Sequence, residues 1–346
     1  MSKAAIRKVT TLVVHCSATA VALADPQRGP SSPTSIFSPA STPAQSIYGL
    51  SLFVLAMTAA VFVVVFGLLT YAVIKFRDRV HDDKREPPQV YGSSQVETAW
   101  TVIPVLIVLV LFLATARVIT SVQDATEPHG ALEVTVIGHQ FWWEYRYPGL
   151  NVVTANELHV PVSDPAHPTP TYFTLLSADT DHSFWVPRLA GKTDLIPNHP
   201  NSMWIDPHET GVYLGQCAQY CGVQHAKMLI RVYVQTRADF DRWIEQQRQS
   251  AIASDAVSQG RVVFETSPCL VCHSVSGIAG NGQFGPDLTH LMSRDTIASG
   301  AAPNTPENLR KWIQDPSSIK RGALMPAFQL SDRQIDELTA YLETLH

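Results

Sequence analysis

The stretch Gly215 to Met228 reads GQCAQYCGVQHAKM, and it brings two thiols, an imidazole and a thioether into one short loop. Cys217, Cys221 and His225 would serve zinc if one more histidine joined them, but zinc sites do not recruit methionine. Soft thiolate, thioether and imidazole together suit copper, and Met228 tips the choice that way. A mononuclear blue-copper site uses one cysteine. Two thiolates turned inward from a tight loop can bridge two metals, each completed by a histidine and a weaker ligand. The second histidine must come from elsewhere among His139, His159, His167, His182, His199 and His208, and the context SADTDHSFWVPRLAGKTDLIPN favours His182. A second cluster, CLVCH, sets Cys269, Cys272 and His273 in the order of a c-type haem attachment site, where both thiols add to vinyl groups and the histidine binds iron. Downstream, GALMPAF offers Met325 for the opposite face of the iron, with Met292 in HLMSRD as its competitor.

These residues need a scaffold. LEVTVIG, TYFTLL, GVYLGQ and LIRVYV are short runs rich in β-branched and aromatic residues, several of them alternating, as in a Greek-key sandwich whose end loops host the metal. Around the haem signal no βαβ pattern appears. The chain closes with LSDRQIDELTAYLETLH, where Ser331 and Gln334 form a capping-box pattern and Ile335, Leu338, Leu342 and Leu345 keep helical spacing, as in a small helical cytochrome.

With 346 residues, 45% of them hydrophobic and only 16% charged, the chain has room for several domains and reads as partly embedded in a membrane. With a mild net charge of −5 and no basic stripe, nothing points to a nucleic-acid partner, and none is expected. Residues 1–24 read as a secretory signal with cleavage after Ala24, and Cys16 inside it reads either as a discarded thiol or as a lipoprotein acceptor. Two uncharged runs follow, Ile47 to Ile74 and Thr98 to Ala116, of about 28 and about 19 residues, enough to cross ~30 Å of hydrocarbon as helices. The loop between them holds Lys75, Arg77, Arg79, Lys84 and Arg85 and so belongs to the cytoplasm, which places everything after Arg117 outside. There the four remaining cysteines would ordinarily form two disulfides. Their spacing argues for cofactors instead.

HSFWVPRLAGKTDLIPN, GQCAQYCGVQHAKM, GHQFWWEYRYP and VETAWTVIP resemble the signature segments of cytochrome c oxidase subunit II, and the CLVCH tail is similar to the caa-type form with a fused cytochrome c domain. The resemblance implies a membrane-anchored multidomain chain. Its parts are a signal peptide (1–24), a linker (25–46), a two-helix transmembrane hairpin (47–120), an all-β cupredoxin (128–245), a linker (246–258) and an all-α class I cytochrome c (259–346). It also implies a dinuclear copper A centre held by His182, Cys217, the main-chain carbonyl of Gln219, Cys221, His225 and Met228, beside one covalent haem c. The implied partners are catalytic subunit I and the other oxidase subunits, an external donor such as cytochrome c, and the inner (plasma) membrane, with both metal domains on its outer face.

Three further features carry over from the resemblance. Glu97 in VETAW corresponds to a residue at the mouth of a proton path, and reads equally as a solvated charge at a helix end. Where the family usually has tryptophan after the glutamine, Gln140 is followed by Phe141, and Trp142 and Trp143 become the candidates for admitting electrons. Gln219 stands where glutamate commonly ligates magnesium, so a weaker or absent magnesium site is expected. The implied activity is electron transfer in a proton-translocating oxidase. The alternatives are the electron-input subunit of a copper-containing nitric oxide reductase and a periplasmic copper-delivery protein. The linker QQRQSAIASDAVSQG reads as flexible, leaving the cytochrome free to approach the copper loop.

Overall fold

A computed structural model describes residues 34–77, 89, 91–123, 131–164, 166, 168–251, 257–280 and 282–346. The expected signal segment with Cys16, and His167, lie outside the described residues.

Both uncharged runs are helical, and both helices are longer than those runs: α1 spans Thr42–Lys75 and α2 spans Ser94–Gln123. At 1.5 Å per residue they reach about 50 Å and about 45 Å, beyond the hydrocarbon thickness. Their apolar side chains are mostly exposed along the whole length, as lipid-facing helices require. The few hydroxyls inside them turn back on the helix: Ser51 donates to the Ile47 carbonyl and Thr58 to that of Val54. The α1 extension follows from contacts above the membrane. Thr42 donates its hydroxyl to Asp206 at 2.5 Å, the Asp206 amide donates to the Ser41 hydroxyl at 2.8 Å, and Pro43 fits the first turn, where no amide hydrogen is needed.

Residues 132–235 form two five-stranded sheets. One runs β3 (Val152–Ala155), β2 (Trp142–Tyr147), β1 (Leu132–His139), β5 (Thr171–Ser177), β8 (Asn201–Ile205); the other runs β4 (Glu157–Pro161), β10 (Leu229–Gln235), β9 (Gly211–Cys217), β6 (His182–Trp185), β7 (Thr193–Leu195). β1 and β5 are parallel, as are β4 and β10; the other pairings are antiparallel. Alternation delivers the core: Phe173 and Leu175 from β5, and Ile230, Val232 and Val234 from β10, point inward to meet Trp143, Tyr145, Leu158 and Phe184. Helix α3 (Arg237–Gln247), capped by Thr236, lays Phe240 and Trp243 against this core.

The C-terminal part is helical: α4 (Ser258–Thr266), α5 (Cys269–Cys272), α6 (Pro306–Gln314), α7 (Pro316–Ile319) and α8 (Asp332–Leu342), with a two-stranded ribbon of β11 (Thr296–Ile297) and β12 (Ala302–Pro303). The capping box at Ser331 and Gln334 is present, and α8 ends at Leu342 while Leu345 beyond it remains fully buried. Phe264, Leu309, Ile335, Leu338 and Tyr341 form a separate core. The cytochrome part is not held off by a tether. It is seated against the sandwich through hydrogen bonds from both sides, so the expected freedom of linker 246–258 does not describe this arrangement. Part of that linker, 252–256, lies outside the described residues.

Candidate metal and haem centres

The copper loop is closed by its own strands. Gln216 of β9 pairs with Leu229 of β10, and the Cys217 amide donates to the Met228 carbonyl at 2.9 Å, so residues 218–228 must bulge from one end of the sandwich. Next to it, Phe184 of β6 pairs with Cys217, which brings His182 over the same end. Cys217 Sγ then lies 3.9 Å from Cys221 Sγ and 3.9 Å from His182 Nδ1, while Cys221 Sγ lies 3.8 Å from His225 Nδ1 and 3.9 Å from Met228 Sδ. The Gln219 carbonyl is 3.2 Å from Cys217 Sγ. At 3.9 Å the sulfurs are well outside the S–S bond length of about 2.05 Å, so this is a pair of facing free thiols and not a disulfide.

Each sulfur therefore has a histidine on its outer side. His182, fully buried, bonds through Nε2 to Asp179 at 2.8 Å, which leaves Nδ1 facing the sulfur pair. Burial works against a charge on His182, but its bonds to Asp179 and Cys217 hold its pKa above the ordinary range. The Cys217 thiol is held far below the ordinary range, first by the hydrogen bond from Cys221, and Cys221 is pushed up by the same contact. Cys217 is thus the readier thiolate. The residue types, the two bridging-distance sulfurs and the oriented imidazoles fit a dinuclear copper centre.

The haem signal lies on α5 beside a cavity of about 380 Å³ bounded by Cys269, Cys272, His273 and Met325. His273 Nδ1 donates to the Pro286 carbonyl at 2.8 Å, which leaves Nε2 for a metal, and burial lowers the ring's pKa, so the imidazole stays neutral. A Cβ on Gly285 would sit 2.5 Å from His273 Cε1, so the chain must be bare where it passes this ring. Met292 instead packs at the edge of the core in a 3-10 turn and does not border the cavity. These residues fit a covalent haem c, which Cys269, Cys272 and His273 would hold, with Met325 on the lining of the same cavity.

One wall of that cavity belongs to the copper domain: Gln140, Phe141, Trp142 and Asn156. Gln140 Nε2 donates to the Cys221 carbonyl at 2.6 Å, so a residue bordering the haem cavity also bonds the copper loop. Trp142 stacks on His139 at 4.1 Å and donates to the Phe284 carbonyl at 3.3 Å, whereas Trp143 is fully buried, edge-on to His182. The two tryptophans therefore separate: one stands at the domain boundary and one inside the sandwich. Glu97 lies in the first turn of α2, exposed. The other histidines are occupied elsewhere: His139 by Glu144, His159 by Gln235, His208 by Thr42, and His199 in the turn before β8. Reading the sequence missed Asp179, which stands within the same SADTDH motif as His182, and missed Gln140 and Pro286, which carry no local signal.

Family models for the transmembrane domain and the periplasmic domain of cytochrome c oxidase subunit II match residues 30–118 and 166–235, and the cytochrome c model matches residues 257–346. The chain is 35% identical over 311 residues to cytochrome c oxidase subunit 2 of Alkalihalophilus pseudofirmus, spanning 87% of this chain and 88% of that one. It is 34% identical over 290 residues to the protein of the same name from Bacillus sp. (strain PS3), spanning 78% and 80%. Among solved structures, the periplasmic domain of subunit II of cytochrome oxidase from Bradyrhizobium japonicum is 28% identical, covering 35% of this chain and 96% of that one, with a TM-score of 0.33. With relatives matched over most of their length, and with both donor sets assembled, the chain belongs to the cytochrome c oxidase subunit II family, as the membrane-anchored electron-transfer subunit that carries a copper A centre and a fused haem c domain and partners subunit I.

Proposed function

We propose that electrons from an external donor, cytochrome c or an equivalent, enter this subunit through the haem domain and pass directly to the copper loop before reaching subunit I. In this reading His182, Cys217, the Gln219 carbonyl, Cys221, His225 and Met228 hold the two coppers. Cys269, Cys272, His273 and Met325 hold the haem. The bound groups supply one-electron redox chemistry, and thioether ligation keeps the haem potential high. The chain's own residues do the positioning: Asp179 and Pro286 fix which nitrogen each histidine offers, and Gln140 joins the haem wall to the Cys221 carbonyl. That shared wall is the observation that carries the reading. The domains work on the outer face of a bacterial-type inner membrane, which the basic residues Lys75 and Arg77 between the spans support. Glu97 at that cytoplasmic end serves the mouth of a proton path toward subunit I.

Replacing the iron ligand tests the route. In the purified oxidase, His273→Ala should cut turnover with a cytochrome c donor at least tenfold, the lower end of what a lost key interaction costs a rate, while the electron spin resonance spectrum of the copper pair stays unchanged. Undiminished turnover would mean that the donor reaches the copper domain directly.

A further inference from the structure

The boundary between the two domains holds two buried ionisable side chains, one from each side, and each is met by the other domain's main chain. Glu157 on β4, 2% exposed, accepts from the Thr296 amide at 2.9 Å and hydroxyl at 2.7 Å through Oε1, and from the Asp295 amide at 3.0 Å through Oε2. Lys320, just after α7 and 4% exposed, donates from Nζ to the Phe141 carbonyl at 2.7 Å, and back to the Ala298 carbonyl of its own domain at 3.2 Å. One side chain thus grips the ribbon of the cytochrome. The other grips the segment that walls the haem cavity and carries Gln140.

We propose that Glu157 and Lys320 are positioning residues that lock the cytochrome in one register on the copper loop, so that the electron crosses between them without a docking motion. This rests on the route proposed above. With both groups bound, the haem would give up one electron and the copper pair would take it, with no bond or proton exchanged, while Glu157 and Lys320 would fix the position of the residues that hold them.

Two buried hydrogen-bonded side chains are a better register device than an apolar contact, because their partners are directional. Burial pushes the Glu157 carboxyl up and the Lys320 ammonium down to about 7, so each is costly to bury without its partners. A shifted docking would take from Glu157 and Lys320 the partners they have across the boundary, and a buried group left unpaired is penalised. Around these side chains the fit is close. Lys227 donates to the Ile319 carbonyl at 3.0 Å, Tyr233 donates to Asp295 at 2.6 Å, and the Leu229 amide donates to the Ser299 carbonyl at 3.3 Å. A Cβ on Gly322 would stand 2.9 Å from Val223 of the copper loop. The turn leading to Met325 therefore rests on the loop that bears the coppers.

The test uses the intact oxidase carrying Glu157→Gln or Lys320→Met, on opposite sides of the boundary. Amide exchange at Asp295, Thr296 and Leu229, all bonded only across the boundary or shielded by it, should speed up about 30-fold, the population shift expected from breaking one buried charged contact. Copper spin resonance and haem absorption should not change. After photoreduction of the haem, electron arrival at copper should be independent of solvent viscosity in the unmodified protein. In either variant it should be slower and should fall further as glycerol is added, because a domain must then find its register. Viscosity dependence in the unmodified protein, or exchange and transfer unchanged in both variants, would overturn the lock. If the haem passes no electron to copper even in the unmodified protein, the route fails, and the exchange measurement still decides the lock by itself.

Discussion

His159 is a neutral aromatic spacer and not a ligand, although the sequence offers it as one. It lies between the rings of Tyr233 and Trp243, at 4.7 and 4.1 Å, with Nδ1 donating to Gln235 at 3.1 Å. Burial lowers its pKa to about 4. The sign follows from which state binds the proton. Between pH 6.5 and 4 the unfolded chain protonates this histidine while the folded chain refuses it, so stability is lost as pH falls through that window. A gap of about 2.5 pKa units corresponds to about 3 kcal/mol. Stability measured on the intact chain by tryptophan fluorescence should drop by about that amount from pH 7 to pH 4, and His159→Phe should remove most of the drop. An equal drop in the variant would assign the acid sensitivity to other groups. Among the described residues three histidines turn a nitrogen toward a cofactor position: His182 and His273, whose other nitrogen is held by Asp179 and by the Pro286 carbonyl, and His225, whose Nδ1 lies 3.8 Å from Cys221 Sγ.

At the scale of elements, the cytochrome depends on a close crossing of α4 and α8. A Cβ on Gly260 would collide with the Glu337 carbonyl and stand 2.7 Å from Tyr341 Cβ. In an exposed helix, glycine to alanine stabilises by about 1 kcal/mol. Here overpacking reverses the sign: Gly260→Ala should cost about 1–3 kcal/mol, lowering the thermal midpoint of the haem absorption change. Gly149→Ala, where no atom lies within 4 Å, should leave the midpoint nearly unchanged. Equal midpoints for the two variants would mean that the helices simply part. Elements with strong periodicity were legible in the sequence. LEVTVIG, TYFTLL, GVYLGQ and LIRVYV lie in β1, β5, β9 and β10, because alternation in a two-sided sandwich is written locally. The extra turns of α1 were not legible, since Thr42 is made helical by Asp206, which is distant in the chain.

At the scale of the whole molecule, the copper and haem residues were legible because each set is packed into one short motif, with His182 alone arriving from outside. The boundary between domains was not. Glu157 and Lys320 find their partners 139 and 179 positions away, and a polar linker says nothing about whether the domain it leads to is free or seated. Seating also decides what remains open. The cytochrome covers one flank of the copper loop through Phe141, Lys227 and Gly322, while Tyr220, between Gln219 and Cys221, stays 74% exposed with its ring 5.8 Å from that of His225. Subunit I receives the electron from this loop, and the exposed Tyr220 is the aromatic through which we expect it to pack there. Tyr220→Lys removes the ring but no copper ligand, so the copper spectrum should persist while the affinity for subunit I, read from its co-purification, falls about 30-fold, as loss of an aromatic anchor worth about 2 kcal/mol requires. Full recovery of subunit I with the variant would place the contact on another face of the sandwich.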